Sequence, residues 1–359
     1  MSTYDPIRIG IIGAGAIGRV HASIFQQIDE VMIRGLYDVN TSLATELSTE
    51  YGTAAVYNSV EAMLNSPEID AVVIGVPNKF HKPLAIQALQ AGKHVLLEKP
   101  MGLNGTDAAE IYAVQQQTGK ILMIAHQMRW QWINQEVKRY VQDGAFGRIY
   151  AAKTGWLRRK GIPGWGSWFT RKAESGGGPL ADIGVHMLDV TRYVMGNPRP
   201  VSVYGSVYSE MGPRKKGLGG WGTRNMDGFF DVEDLALALI RMEDGSTLSL
   251  EASWAIHTDK DSDIFMRLMG TDGGAVVADN ARATLCGELF DRSCTLDIAT
   301  PDNAPNPRIA LSRHFAECVV TGRTPISDAF SGVVNNRIID AIYQSASTGN
   351  SIDLDWDNF

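Results

Sequence analysis

The apolar positions near the start of the chain follow a strand pattern, then a helix pattern, then a second strand pattern. Residues 7–12 are almost continuously apolar and β-branched, which predicts a strand buried on both faces. Val20, Ile24, Phe25 and Ile28 recur at helical spacing and predict one buried helix face. Residues 31–37 predict a second buried strand. This order of elements is the start of a parallel βαβ unit.

The same alternation continues to about residue 125. Further strands are predicted at residues 69–76, 94–97 and 121–125, and helices at residues 81–91 and 107–117. Alternating units of this kind build a parallel sheet with helices on both faces. Ligands bind such sheets outside the carboxyl ends of the strands, so we expect the residues at those ends to share one crevice. These residues are Gly13, Asp38, Pro77, Asn78, Glu98, Lys99 and Gln127.

The pattern changes after about residue 148. A strand is predicted over residues 148–156, followed by a loop rich in glycine and tryptophan and then a single helix from Pro179 to Gly196. From Pro200 onward, apolar residues alternate with polar ones, and Asp244-Gly245 is a hairpin signal between two such runs. This alternation predicts a largely antiparallel, half-buried sheet.

The fold class is therefore α/β with two domains, as the length of 359 residues also favours. We expect one α/β domain with a parallel sheet over residues 1–126 and a second α/β domain over residues 127–359. Helices close the chain near residues 308–321 and 328–347, and the C-terminal helix is expected to pack back on the first domain. Residues 211–227, rich in glycine and lysine, predict a long mobile loop.

A glycine-rich turn joins the first strand to the first helix. Residues 13–18 have the pattern G-x-G-x-x-G, in which Gly13 permits the turn, Gly15 lets the backbone approach a pyrophosphate, and Gly18 lets helix pack on strand. Asp38 ends the second strand, where it can accept hydrogen bonds from both hydroxyls of an adenosine ribose. Together these features predict that residues 1–126 form a Rossmann domain with a dinucleotide site, the alternative being a tight turn that binds no ligand.

Asp38 also bears on the choice of dinucleotide. Its carboxylate would repel a 2′-phosphate, and the following Val39 and Asn40 bring no positive charge. NAD is therefore predicted over NADP, although a nearby Arg or Lys from a loop would permit dual use.

Composition narrows the class of protein further. Lys and Arg number 33 against 40 Asp and Glu, and the net charge of −7 argues against nucleic acid or an anionic membrane as a general partner. No apolar run is long enough to span a bilayer, and the start Met-Ser-Thr-Tyr-Asp leads us to expect no secretory signal. The three cysteines are sparse, which suggests a reducing cytoplasm and buried apolar side chains rather than disulfides or zinc ligands. They are Cys286, Cys294 and Cys318.

The segment Glu98-Lys99-Pro100 is the first candidate for chemistry. It follows a predicted parallel strand, so Lys99 lies at the ligand-binding edge of the sheet, and Pro100 restricts the turn after it. Desolvation there would suit the lysine to proton transfer. The alternative is a surface lysine paired with Glu98.

The second candidate is the helix that follows three glycines and Pro179. Asp182 and His186 are four residues apart and share one helix face, which Asp189 continues. A carboxylate beside an imidazole sets its tautomer and raises its basicity, so the pair resembles a positioned acid and base. The alternatives are a capping Asp with an incidental His, or a metal site, which lacks a second His or Cys at ligand spacing.

Taken together, G-x-G-x-x-G with Asp38, Glu98-Lys99-Pro100 and the Gly-Gly-Gly-Pro-Leu-Ala-Asp-Ile-Gly-Val-His segment resemble the glucose–fructose oxidoreductase and inositol dehydrogenase (Gfo/Idh/MocA) family over most of the chain. The resemblance implies a C-terminal domain with an open-faced sheet that binds substrate and forms a homodimer or homotetramer. It also implies catalytic roles for Lys99, Asp182 and His186.

The resemblance further implies two sets of binding residues. The cofactor set is Gly13, Gly15, Ala16, Ile17, Asp38, Pro77, Asn78, His81, Glu98, Lys99, Gln127 and Trp168. The substrate set is Lys99, Arg129, Trp168, Arg171, Asp182 and His186. Gln127 departs from the pattern, because relatives often have Asn there.

The expected activity is oxidation of a secondary hydroxyl of a sugar, glycoside or cyclitol by hydride transfer to NAD. His186 is expected to take the hydroxyl proton while Lys99 stabilises charge on the same oxygen. Trp156, Trp165, Trp168 and Trp221 suggest stacking on a sugar, or else core packing. Alternatives are a redox-neutral, NAD-dependent glycoside-cleaving enzyme, an imine or tetrapyrrole reductase, and a ligand-sensing regulator, in which loss of Lys99 or His186 would be expected.

Overall fold

The computed structural model describes residues 5–52 and 55–357. The chain forms two compact units, one of Met1–Gln127 with Pro305–Val333 and one of Met128–Ala304 with Val334–Phe359. The first unit thus includes a segment from the C-terminal part of the chain, which the simple boundary at residue 126 does not contain. Met1–Tyr4, on which the expected absence of a secretory signal rests, lie outside the described residues.

Strands and helices alternate in the first half of the chain, and strands dominate the second. The strands are β1 Ile7–Ile12, β2 Val31–Tyr37, β3 Ala55–Val56, β4 Ala71–Ile74, β5 His94–Leu97, β6 Leu122–Ile124, β7 Ile149–Arg158, β8 Pro200–Tyr208, β9 Leu235–Met242, β10 Thr247–Ser253, β11 Ser262–Gly270, β12 Gly273–Ala278, β13 Arg282–Leu289, β14 Arg292–Ala299 and β15 Ile352–Asp353. The α-helices are α1 Ala16–Phe25, α2 Thr41–Tyr51, α3 Val60–Leu64, α4 His81–Gln90, α5 Gly105–Thr118, α6 Trp132–Gln142, α7 Lys172–Ser175, α8 Val185–Val194, α9 Pro307–Thr321 and α10 Ala329–Thr348.

The first unit is built on a parallel sheet of six strands in the order β3-β2-β1-β4-β5-β6. This is the strand order of a Rossmann fold, which confirms the predicted fold class. Strand β4 is buried at every position, and β1 at all positions but one. Their continuous apolar runs therefore reflect cover on both faces of the sheet.

Helix α1 departs from its predicted buried face. Ile24, Phe25 and Ile28 are buried as expected, but Val20 is 36% exposed and His21 is buried instead. His21 takes the inner position because its imidazole has a buried hydrogen-bonding partner, the carboxylate of Glu98.

The second unit is built on a nine-stranded sheet in the order β14-β13-β12-β11-β7-β10-β9-β8-β15. Strands β7 and β10 pair in parallel, whereas β10–β9 and β9–β8 are antiparallel. The predicted hairpin at Asp244-Gly245 is confirmed, with Gly245 at φ 82°. Strand β9 alternates strictly between buried and exposed residues, and its outer face exposes Leu239 at 53%. One face of this sheet is thus covered and the other presents large apolar side chains.

The single helix predicted from Pro179 is in fact two helical segments of different geometry. Leu180–Gly184 is a π-helical turn, and α8 begins only at Val185, whose N–H donates to Leu180 O five residues back. Gly184 packs closely on β10, since a Cβ built there would lie 3.0 Å from Ala252 Cβ. The extra residue in the π turn changes the faces that the sequence spacing predicted.

The segment at residues 211–227 has no helix or strand, as predicted for a loop. Its backbone is nevertheless bonded to neighbouring segments: Trp165 Nε1 donates to Gly212 O at 2.8 Å, and Gly164 N donates to Trp221 O at 2.8 Å. The predicted mobility of this loop stays a prediction.

The cysteines are free, but the expectation that all three are buried is wrong. Cys318 is buried, Cys286 is half-buried and Cys294 is exposed, because β14 lies at the edge of the sheet with most of its side chains in solvent. Within residues 5–52 and 55–357, no group of three or more His, Cys, Asp or Glu side chains is arranged to hold a metal ion. Over the same ranges, no helix is both long and apolar enough to cross a membrane.

Candidate active site

The glycine turn after β1 has the geometry that each glycine was predicted to provide. Gly13 has φ 98°, and a Cβ there would lie 2.4 Å from Gly75 O. A Cβ on Gly18 would lie 1.9 Å from Gly13 O, so the start of α1 touches the turn directly. A Cβ on Gly15 would meet nothing within 4 Å. The turn is therefore tightly packed at Gly13 and Gly18 but open at Gly15. Gly15 lies at the N-terminus of α1, where a phosphate is favoured.

Asp38 is held beside this turn at the end of β2. Its carboxylate accepts hydrogen bonds from Ala14 N at 2.7 Å and from Asn40 N at 2.8 Å. The side chain of Asn40 caps α2, and Val39 is 90% exposed. The carboxylate thus has a set orientation next to the open edge of the turn. Ala16 and Ile17, exposed and half-buried, begin α1 at the same edge.

Pro77 and Asn78 follow β4, and Asn78 opens a short helical turn, Asn78–Phe80. His81 comes next and is fully buried, with Nδ1 2.7 Å from Pro100 O and Nε2 3.0 Å from Val76 O. Burial lowers the pKa of His81. The imidazole therefore braces the segments that follow β4 and β5 against each other, which fits a bracing role better than direct contact with a cofactor.

The end of β5 carries a buried carboxylate. Glu98 is 7% exposed, and its Oε1 lies 2.8 Å from Nε2 of His21 on α1. Burial alone would raise the pKa of Glu98, but the hydrogen bond and charge of His21, with the charges of Arg308 and Lys99, hold the pKa at about 2. The backbone N–H of Lys99 donates to the same carboxylate at 3.3 Å. The backbone of the half-buried Lys99 is therefore fixed by the Glu98 carboxylate, which is itself bonded to His21.

His21 is a residue that the sequence pattern missed. It lies three positions after Gly18, on a helix turn where the apolar periodicity indicated no polar contact. Its partner is 77 residues away in sequence, so only the parallel packing of α1 against the sheet brings the two together.

In the second unit, Asp182 lies in the π-helical turn, and a residue that follows a strand of the sheet holds its carboxylate in place. Trp254, fully buried just after β10, donates its indole N–H to Asp182 Oδ2 at 2.9 Å. His186 is in the first turn of α8 and 5% exposed, with the Trp156 ring 6.3 Å from its own ring. The two predicted catalytic residues of this unit thus lie beside indole rings contributed by β7 and the end of β10.

Asp189 lies three residues after His186 on α8, and its carboxylate is held by other protein side chains. It is fully buried and accepts two hydrogen bonds from Arg129, at 2.7 and 2.6 Å. Asn335 on α10 donates to it at 2.9 Å and accepts from Arg192 at 2.8 Å. Arg129 is itself 0% exposed. Arg129 is thus held beside α8 in a buried ion pair with Asp189.

Trp168 and Arg171 occupy the loop before α7. Trp168 is half-buried with its ring 3.7 Å from that of Phe169, which in turn contacts Trp221. Arg171 is ion-paired with Glu174 at 2.9 Å. Trp165, by contrast, is 3% exposed and belongs to the core cluster that includes Trp254. Core packing is therefore the correct interpretation for Trp165, while Trp221 is 55% exposed.

Glu233 is a second residue that the sequence did not indicate. Its buried carboxylate accepts hydrogen bonds at 3.0 Å from the N–H groups of Gly178 and Leu180 and from the hydroxyl of Tyr343. Burial raises the pKa of Glu233 and also that of Tyr343. Glu233 thus caps the N-terminal end of the turn that carries Asp182, across 53 residues of sequence.

Gln127 follows β6 and is half-buried at the start of a short helical turn, Gln127–Trp130. It and Asp38, Pro77 and Lys99 lie at the carboxyl ends of parallel strands of one sheet, as the strand order requires.

Comparison with known proteins matches both parts of the chain. The family described as "Oxidoreductase family, NAD-binding Rossmann fold" matches residues 7–126, and the "GFO/IDH/MocA C-terminal domain" matches residues 134–276. The chain belongs to the Gfo/Idh/MocA family. The resemblance stated from the motifs is thereby confirmed, and with it a Rossmann domain that binds NAD.

Among Gfo/Idh/MocA relatives, the chain is 32% identical over 361 residues to D-glucoside 3-dehydrogenase of Escherichia coli, covering 98% of this chain and 99% of that protein. It is 27% identical to levoglucosan dehydrogenase of Pseudarthrobacter phenanthrenivorans, covering 75% of this chain and 73% of that protein. A structure of a levoglucosan dehydrogenase in complex with NADH and levoglucosan shares the fold, with a TM-score of 0.86 over 97% of this chain and 99% of that chain at 23% identity.

In the glycine turn of this Gfo/Idh/MocA chain, Gly18 serves close packing and Gly15 leaves room for a ligand. We expect Gly18→Ala to lose about 1–3 kcal/mol of stability, because its Cβ collides with Gly13 O. Gly15→Ala should keep the melting temperature of the apo protein but weaken NAD binding by about tenfold or more, since its Cβ stands where the pyrophosphate approaches. Thermal unfolding without nucleotide and calorimetric NAD titration measure the two effects. Unchanged NAD affinity in Gly15→Ala would contradict this assignment of the turn.

Glu233 should control the turn that carries Asp182. Glu233→Ala leaves two buried N–H groups without their acceptor, at a cost of about 1–3 kcal/mol each, and should lower both the melting temperature and turnover. Glu233→Gln retains one acceptor oxygen and should fall between Glu233→Ala and the parent. Glu210→Gln, at an exposed carboxylate paired with Arg214, is the control and should match the parent. Parental turnover and stability in Glu233→Ala would show that the cap is dispensable.

Proposed function

We propose that this chain oxidises a secondary hydroxyl of a sugar, glycoside or cyclitol, with NAD as the hydride acceptor. The observation that carries the proposal is the presence of both Asp182 and His186 in the second unit. Asp182 is hydrogen-bonded to Trp254, and His186 lies beside Trp156. Two relatives, a D-glucoside 3-dehydrogenase and a levoglucosan dehydrogenase, are named for sugar substrates and support this substrate class.

The cofactor is assigned to the first unit on its local geometry. The open edge at Gly15 suits the pyrophosphate, and the fixed carboxylate of Asp38 suits the ribose hydroxyls and disfavours a 2′-phosphate. NAD, when bound, supplies the hydride acceptor. The remaining residues proposed to line it are Gly13, Ala16, Ile17, Pro77, Asn78, Glu98, Lys99, Gln127 and Trp168, with His81 bracing their backbone.

Proton transfer is assigned to His186. Its imidazole accepts the proton of the substrate hydroxyl, and Lys99 donates a hydrogen bond to the oxygen on which negative charge develops. Asp182, oriented by the indole N–H of Trp254, favours the protonated imidazole or binds a neighbouring hydroxyl. Trp168 and Arg171 are proposed to contact substrate, whereas Arg129 acts through Asp189 by holding α8.

We also propose a division of labour along the chain. Residues 1–126 bind the dinucleotide, and residues 127–359 bind substrate and form a homodimer or homotetramer through the outer face of the second sheet. That face exposes Tyr204 at 51% and Leu239 at 53%, large apolar side chains of the kind that interfaces bury. The sparse cysteines favour a cytoplasmic protein.

The first experiment is absorbance at 340 nm with purified protein, NAD or NADP, and a panel of methyl glucosides, levoglucosan, free aldoses and inositols. We expect NADH to accumulate with NAD and one class of uncharged polyol, because the residues assigned above suit hydride removal from a CH–OH group. A silent panel from protein that retains tightly bound NAD would instead favour redox-neutral glycoside cleavage.

Substitution of the two proton-handling residues tests their roles. Lys99→Ala and His186→Ala should each lower kcat by about 10²–10⁴-fold, while the NAD dissociation constant stays within a few-fold of the parent. Lys216→Ala and His257→Ala, at exposed positions, are the matched controls and should keep parental turnover. Unchanged kcat in either of the first two variants would remove that residue from the mechanism.

A further inference from the structure

Arg158 lies on the same face of β7 as the residues beside the candidate acid and histidine. Side chains alternate along a strand, so Ala152, Thr154, Trp156 and Arg158 share one face. The first two are buried, and Trp156 carries the ring next to His186. Arg158 ends the strand, paired with Ser262 of β11. Arg158 is therefore the last side chain on the face of β7 whose Trp156 lies beside His186.

The orientation of Arg158 is set by stacking. Its guanidinium carbon is 4.5 Å from the centroid of the Trp156 ring. Trp156 is itself anchored, because its indole N–H donates to Ser262 Oγ at 3.1 Å. A guanidinium stacked on an indole keeps its N–H groups directed outward in its own plane. The donors of Arg158 are thus preorganised beside the ring that adjoins His186.

Arg158 differs from neighbouring arginines in its partners. Arg159 donates to the carbonyl oxygens of Thr258 and Asp259, and Arg171 is ion-paired with Glu174. Among the residues that the structure describes, no hydrogen-bond acceptor or ion-pair partner meets the half-buried guanidinium of Arg158. Burial lowers its pKa, opposed by the negative charge of Asp182. Burying a charged donor that has no acceptor in the protein lowers the stability of the fold, unless a ligand accepts its hydrogen bonds.

The charges on either side restrict that ligand. Arg158 and Asp182 carry opposite charges that cancel, so an uncharged ligand is favoured. A carboxylate or phosphate attracted by Arg158 would be repelled by Asp182. The pair offers guanidinium donors and a carboxylate acceptor, which together complement two adjacent hydroxyl groups, one accepting from Arg158 and one donating to Asp182.

We propose that Arg158 is a specificity-determining residue that, together with Asp182, recognises a vicinal diol of an uncharged sugar or cyclitol. This inference rests on the proposed function and defines its substrate more narrowly: a polyol with neighbouring free hydroxyls is accepted, and one that lacks the hydroxyl read by Arg158 is discriminated against.

The test compares Arg158→Met with the parent in initial-rate kinetics at saturating NAD. The probes are methyl β-D-glucopyranoside, its 2-deoxy and 4-deoxy analogues, scyllo-inositol and glucuronic acid. Arg158→Met keeps an apolar stem over Trp156, so the fold and His186 should be undisturbed. We expect KM for the neutral diols to rise about 10–100-fold, as for loss of a hydrogen bond from a charged donor, with kcat within a few-fold and NAD affinity unchanged.

Arg159→Met is the matched control, because it removes the same charge one residue away from a guanidinium bonded to backbone carbonyls. It should retain the parental KM. One deoxy analogue should raise KM for the parent by a similar factor and show no further rise in Arg158→Met, because the two changes remove the same contact. Arg158→Lys should restore part of the affinity.

The outcomes separate this inference from the proposed function. A parent that oxidises the neutral probes, with Arg158→Met at the parental KM on all of them, overturns the diol site and leaves the proposed function intact. Preferential use of glucuronic acid by the parent, lost in Arg158→Met, also overturns it, because Arg158 would then bind an anion. A parent that neither oxidises any probe nor binds it in calorimetry overturns both.

Discussion

The carboxylate of Glu233, buried against the N–H groups of Gly178 and Leu180, sets the start of the helical segment on which the second unit depends. Three backbone features meet there: the glycines that end the preceding loop, a π-helical turn, and the close approach of Gly184 to Ala252 on β10. A helix N-terminus that is buried without such an acceptor is unstable. With the acceptor in place, Asp182 points to Trp254 and α8 continues with His186 in its first turn.

The first unit uses the same principle at a different place. Glu98 and His21 are both buried and bonded to each other, and His81 is buried between two backbone carbonyl oxygens. The Glu98–His21 contact and the single N–H that a neutral His81 can donate lie inside the fold, so they add rigidity where β4 and β5 end. Lys99 is attached to this rigid edge. In both units the candidate reactive side chain is thus preceded or flanked by a buried polar contact that orients the backbone carrying it.

The two sheets of the molecule follow different burial rules, and this difference has functional consequences. The parallel sheet is covered on both faces, so its ligand-binding residues are confined to the strand ends. The larger sheet is covered on one face, where β7 contributes Trp156 and Arg158. Its other face is exposed and apolar, as at Leu239 and Tyr204. A single sheet thus has one covered face, next to Asp182 and His186, and one exposed apolar face.

The sequence by itself determined the alternating strands and helices of the Rossmann domain, the glycine turn, the family and the positions of Lys99, Asp182 and His186 along the chain. These follow from local patterns: continuous apolar strands, glycine spacing, and short motifs at strand and helix ends. Only the tertiary structure decided the π turn, the burial of Asp189 with Arg129, and the partners of His21, Glu233 and Arg158. The reason is that these contacts join residues far apart in sequence, and a pattern of neighbouring residues carries no information about which distant group a buried polar side chain will meet.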